Sequence, residues 1–136
     1  MKATEASRLP VLPGEEPWTA AELTAVRRRL EDEIAVARRE VGEAEDELAR
    51  RLTDPVDGAG DDPADVGART FQREHDLALA YNTRDLLAKG ERAIERMDAG
   101  TYGVCESCSR AIGKARLEAF PRATLCVTCK QREERR

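Results

Sequence analysis

Four cysteines near the C-terminus fall into two like pairs, Cys105-Glu106-Ser107-Cys108 and Cys126-Val127-Thr128-Cys129, which gives C-x2-C-x17-C-x2-C. Two intervening residues let the backbone turn back, so both sulfurs of a pair can reach one ion. Two such knuckles build the tetrahedral S4 shell that structural zinc prefers. Four thiolates fill that shell and leave no position for a catalytic water, so one structural Zn2+ is expected. The surrounding stretch is poor in apolar groups (Ile112, Leu117, Phe120, Leu125) and needs such a staple. Turn-tolerant residues flank the first knuckle, Thr101-Tyr102-Gly103 before it and Ser109 after it. A redox C-x-x-C explains two identical pairs less well.

A second group with chemical potential is carboxylate. Residues 53–65 hold five Asp and no base, a net −5, whereas residues 105–136 net +4 and residues 1–52 net −3. The chain is polarised, acidic in the middle and basic at its end. No Ser/His/Asp set and no phosphate-binding loop is present. The single histidine, His75, reads as a surface or seam residue, so no enzyme is expected.

The elements that must position these groups are helices. Charged residues make up 37% and aromatics 4% of the 136 residues, the composition of long helices rather than of a β-sandwich. Thr19 and Glu22 form a T-x-x-E capping box, with Trp18 and Leu23 placed as a hydrophobic staple. From there Leu23, Leu30, Ile34, Ala37, Val41, Ala44 and Leu48 make a narrow apolar seam ending near Leu52. Thr53-Asp54-Pro55 opens a stretch that cannot stay helical. A second run follows with Asp62 as N-cap and Pro63 at the first helical position. It is expected to bury Phe71, Ala78, Leu79, Leu86, Leu87, Ile94 and Met97, and to end with Gly100 as the C′ residue.

Helices over 20–52 and 66–98 joined by a dozen residues predict an antiparallel hairpin, each arm about 50 Å long. The fold class is therefore mainly α: a coiled-coil hairpin over 19–99 with an acidic tip loop at about 53–65, then a four-Cys zinc finger over 100–136 with a short terminal helix. Residues 1–18, with three prolines and no periodicity, are expected as a disordered arm. No apolar run approaches the roughly 18–20 residues that span a bilayer, and residues 1–16 lack a secretory apolar stretch. No membrane contact, a cytoplasmic location and a monomer are expected.

The pattern Cys105-x2-Cys108-x3-Ile112-x3-Arg116-x4-Pro121-x4-Cys126-x2-Cys129 resembles the zinc-finger signature of the DksA/TraR family. Gly100-Thr101-Tyr102-Gly103-Val104 and Arg116-Leu117-Glu118-Ala119 resemble it too, and with the hairpin the likeness covers roughly residues 19–136. The resemblance implies a transcription regulator that binds RNA polymerase and pushes the hairpin into its secondary channel. The family's tip pattern, D-x-x-D-x-A, has two registers here. Asp54 and Asp57, followed by Ala59, match it literally. Asp62 and Asp65 match by distance from Cys105, with Gly67 in place of the closing Ala. The second register keeps the helices equal.

The resemblance also implies contacts to guanosine tetraphosphate in some members. Leu86, Lys89 and Lys130 agree with those positions, while Asn82, Asp85 and Phe120 stand where bases are expected. Losing three cations weakens recognition of a polyphosphate, so a reduced or absent alarmone response is expected. The competing reading is a nucleic-acid-binding finger that uses Arg110, Lys114, Arg116, Arg122, Lys130, Arg132, Arg135 and Arg136. The overall acidity argues against direct DNA binding. A thiol redox sensor, losing metal on oxidation, is a third.

Overall fold

The computed structural model describes residues 3–53 and 63–135, which carry five helices: α1 (Ala3–Ala6), α2 (Ala20–Thr53), α3 (Pro63–Ala99), α4 (Lys114–Ala119) and α5 (Val127–Glu134). Extended structure among the described residues is one antiparallel bridge, Val104 to Ala111. Two compact units form, Met1–Ile34 with Lys89–Arg136, and Ala35–Ala88; α2 and α3 contribute to both.

In the first unit α2 starts where the capping box places it. The Thr19 amide donates to Glu22 Oε1 (3.0 Å) and the Glu22 amide to Thr19 Oγ1 (3.1 Å). Trp18 and Leu23, the staple pair, are both buried. At the other end Gly100 adopts φ +76°, its amide donates to Met97 O and the Thr101 amide to Arg96 O. That is a Schellman stop, and it needs a residue without Cβ strain. The antiparallel pairing shows in Arg27 to Asp98 (2.7 Å) and in the approach of Gly90 to Ile34.

One core serves arm, helices and finger alike. Ala6 and Leu9 from the arm, Leu30 from α2, Met97 from α3, and Ile112 and Leu117 from the finger all belong to it. Over residues 3–18 the arm is thus a correction to the disorder expected of residues 1–18, while residues 1 and 2 lie outside the described residues. Residues 3–6 are helical, Ala6 and Leu9 are buried and Trp18 is 1% exposed. The finger cannot close an apolar core alone, so a few large groups of the arm complete it. The prolines fix φ and lessen the entropy that ordering removes.

In the second unit Arg51 meets Asp76 (3.2 Å) and Arg84 meets Glu45 (3.3 Å), again antiparallel. The seam of α3 differs from expectation. Asp76, Ala80, Thr83 and Leu87 are its least exposed positions there, spaced four, three and four apart. Phe71 is 72% exposed, Leu79 53% and Leu86 41%, and Ala78 is exposed as well. These least exposed positions mix small, charged and large side chains, and they lie on a different face of α3 from Phe71, Ala78, Leu79 and Leu86. Ala37, 9% exposed, is the sole buried residue among the described residues of this unit.

Two glycines inside helices give opposite predictions. A Cβ on Gly42 would meet nothing within 4 Å, so Gly42→Ala should stabilise by about 1 kcal/mol through helix propensity. A Cβ on Gly90 would lie 2.9 Å from Ile34 Cγ1. There overpacking of about 1–3 kcal/mol outweighs the propensity gain, and Gly90→Ala should destabilise. Thermal melts of the two variants check the signs.

Candidate metal centre

The first knuckle is shaped by the turn that the bridge closes. Cys105 N–H donates to Arg110 O (2.8 Å), Ser109 N–H to Cys105 O (3.0 Å) and Ile112 N–H to Gly103 O (2.8 Å). Ser109 takes φ +63°, the left-handed conformation that reverses the chain after Cys108. The second knuckle opens α5: Cys126 is its N-cap, and the Cys129 amide donates to Cys126 Sγ (3.5 Å). The Cys126 amide donates to Cys105 Sγ (3.4 Å), which ties one knuckle to the other.

The four sulfurs lie within 4.8 Å of one another, with Cys108 and Cys126 Sγ 3.8 Å apart. A tetrahedral Zn2+ with Zn–S bonds of about 2.3 Å needs sulfurs about 3.8 Å apart, so the donor set fits that ion. Cys105 and Cys129 are buried, Cys126 is half-buried and Cys108 is exposed. Burial works against ionisation of Cys105, but the N–H groups of Cys108, Cys126 and Ser107 outweigh it and bring its pKa down to about 6. The Cys129 thiol goes the other way, up to about 11, chiefly through its hydrogen bond with Cys126. Cys105, Cys108, Cys126 and Cys129 would hold the zinc, whose contribution is to lock the two knuckles together.

Side chains of the finger itself and of distant segments brace it. Tyr102 is buried and its hydroxyl donates to Pro121 O (2.8 Å); burial pushes its pKa well above the ordinary tyrosine value. Arg29 of α2 donates to Glu118 O (2.9 Å) and Ala119 O (3.4 Å), satisfying carbonyls at the end of α4. At the start of α4 the N-cap Gly113 has no side chain to offer. Glu15 supplies the missing acceptor: it receives the amides of Lys114 (2.9 Å), Ala115 (3.0 Å) and its neighbour Leu12 (2.8 Å). No periodicity or motif marks Glu15, because its partners lie 99 and 100 residues along the chain.

Desolvation raises the Glu15 pKa, but the three amides and the nearby Lys114 charge outweigh it and hold it below 4.5. A carboxylate with a lowered native pKa adds stability above its unfolded value and loses it as pH falls through the native one. The stability gap between wild type and Glu15→Gln should stay constant from about pH 8 to about pH 5.5. It should close only below 4.5. Melts across that range check it.

The remaining candidate positions fall as follows. Asp65 is exposed in the first turn of α3, while Asp54, Asp57 and Asp62 lie outside the described residues. Lys89 in α3 and Lys130 in α5 are exposed, as are Asn82 and Asp85. Phe120 is 62% exposed with the Arg116 guanidinium 5.7 Å from its ring centre. No helix is long and apolar enough to cross a membrane among the described residues.

Residues 100–135 match the prokaryotic dksA/traR C4-type zinc finger. The RNA polymerase-binding transcription factor DksA of Escherichia coli (strain K12) is 37% identical over 120 residues, which cover 87% of this chain and 75% of that protein. The protein of the same name from Caulobacter vibrioides (strain NA1000 / CB15N) is 44% identical over 77 residues, 54% of each chain. The solved structure of transcription factor DksA2 from Pseudomonas aeruginosa superposes with a TM-score of 0.65 at 33% identity, covering 85% of each chain. Shared sequence over most of the length, a shared fold and the tetracysteine cluster agree: the chain belongs to the DksA/TraR family of C4-type zinc-finger proteins.

Proposed function

We propose that this protein regulates transcription by binding RNA polymerase, and that the turn between α2 and α3 enters the polymerase secondary channel. The observation that carries the reading is the antiparallel pairing of two helices of 34 and 37 residues around an Asp-rich connection, in a chain whose relatives are named for polymerase binding. Asp65 at the start of α3, with Asp62 before it, is the acidic register we assign to the tip. Asp54 and Asp57 form the alternative one. Capture of core polymerase by the zinc-loaded protein tests it. Wild type should retain polymerase, and a chain lacking residues 53–67 should not.

Of the eight cations on which the nucleic-acid reading rests, three are engaged within the fold, while Arg110, Lys130, Arg132 and Arg135 are exposed. Lys114 Nζ pairs with Glu22 (2.7 Å), Arg116 Nε donates to Leu125 O (3.1 Å) and Arg122 reaches Glu33 (3.6 Å). Cations that brace the fold are not available to phosphates. The protein acts as a binding factor without catalysis. Its response to guanosine tetraphosphate is weak or absent, since Asn82 and Phe120 offer no cation to a polyphosphate and Asp85 offers a repelling carboxylate.

A further inference from the structure

The arm does more than fill a core. Between Pro10 and Pro17 it runs against the finger at two glycines. An added Cβ on Gly113 would lie 2.9 Å from Leu12 Cδ1, and one on Gly103 would lie 3.6 Å from Pro10 O. Both glycines have positive φ, +113° and +91°, so the finger backbone is shaped to let the arm approach. Leu12 also walls a cavity of about 470 Å3 shared with Cys108, Cys126 and Cys129. Glu15 then fixes the first turn of α4, and Arg116 of that helix donates to Leu125 O, the residue before Cys126. A continuous set of contacts thus runs from the Glu15 carboxylate to the second knuckle.

We propose that residues 10–17 form a strap over the metal centre that sets how fast zinc leaves it, with Glu15 as the positioning residue and Leu12 as the cover. Releasing the strap uncaps α4, frees the carbonyl that Arg116 holds, and opens the cavity wall beside the sulfurs. Zinc then exchanges through local opening of the finger rather than through global unfolding. Lys114 secures the strap's far end, with Nζ 3.4 Å from Pro17 O and 5.6 Å from the centre of the Trp18 ring. The strap concerns the metal centre alone and stands whether or not polymerase is the partner.

The test follows zinc transfer from the full-length protein to the chelating dye 4-(2-pyridylazo)resorcinol near neutral pH. Glu15→Ala should release zinc about fivefold faster than wild type, the change expected from losing one helix cap. Leu12→Ala should also be faster. Glu15→Gln, which keeps an oxygen acceptor, should fall between wild type and Glu15→Ala, and the exposed neighbour Glu16→Ala should match wild type. Far-ultraviolet circular dichroism of Glu15→Ala should keep the wild-type helix signal. A wild-type release rate in Glu15→Ala would overturn the proposal, as would a Gln variant no slower than the Ala one. So would loss of the helix signal in Glu15→Ala, since the arm would then hold the whole unit and not the knuckle.

Discussion

Replacing Cys105 with Ser is expected to strip the protein of its zinc and unfold the finger. Cys105 is 1% exposed and sits in the common core, and its sulfur accepts the amide of Cys126 on the opposite knuckle. A hydroxyl there is a poor zinc ligand and leaves three thiolates to hold the ion. Structural zinc of this kind contributes on the order of 10–16 kcal/mol in small fingers, more than the few apolar groups of this segment can replace. Tyr102, Ile112 and Leu117 belong to the same core as Leu30 and Met97, so the hairpin base should melt early as well. Elemental analysis should find about one zinc per wild-type chain and far less in the variant. Prolonged chelation of the wild type should reproduce the variant's melt.

Trp18→Ala carries the second large effect. Its ring is 1% exposed, 6.3 Å from the Tyr102 ring and beneath Lys114 Nζ. Truncating a buried tryptophan costs about 3–5 kcal/mol, a large share of the 5–15 or so kcal/mol that holds a typical domain folded. Phe71→Ala is the matched contrast. Phe71 is 72% exposed, and substitution at such a surface position should stay within about 0.5 kcal/mol. Urea denaturation midpoints of the two variants separate these outcomes. Equal losses would contradict the packing described for both residues.

What could be read from the chain follows the range of the interactions involved. Thr19 with Glu22, Gly100 after Ala99, and the Cys-x2-Cys pairs act within a few residues of themselves, so local pattern reveals them. The α3 seam is legible at Leu87, Ile94 and Met97 but not nearer the start of the helix. Phe71, Leu79 and Leu86 have the side chains of core residues, yet the least exposed positions of α3 over residues 71–90 are Asp76, Ala80, Thr83, Leu87 and Gly90, a face that residue type alone does not mark. The arm carries no local signal of its order. Ala6, Leu9 and Glu15 have no periodicity of their own, and they become structural only when the finger, about a hundred residues later, offers Gly103, Gly113 and the open end of α4. Arg29 is of the same kind, ordinary in sequence and specific only in contact.

Transcription reconstituted from purified polymerase, a promoter template and the zinc-loaded protein is the most direct measurement of the proposed role. Wild type should bind polymerase and change the lifetime of the open complex. The Asp62→Asn/Asp65→Asn protein should bind equally well and leave that lifetime as it is without the factor. A wild-type protein that neither associates with polymerase nor alters the open complex would contradict the proposal.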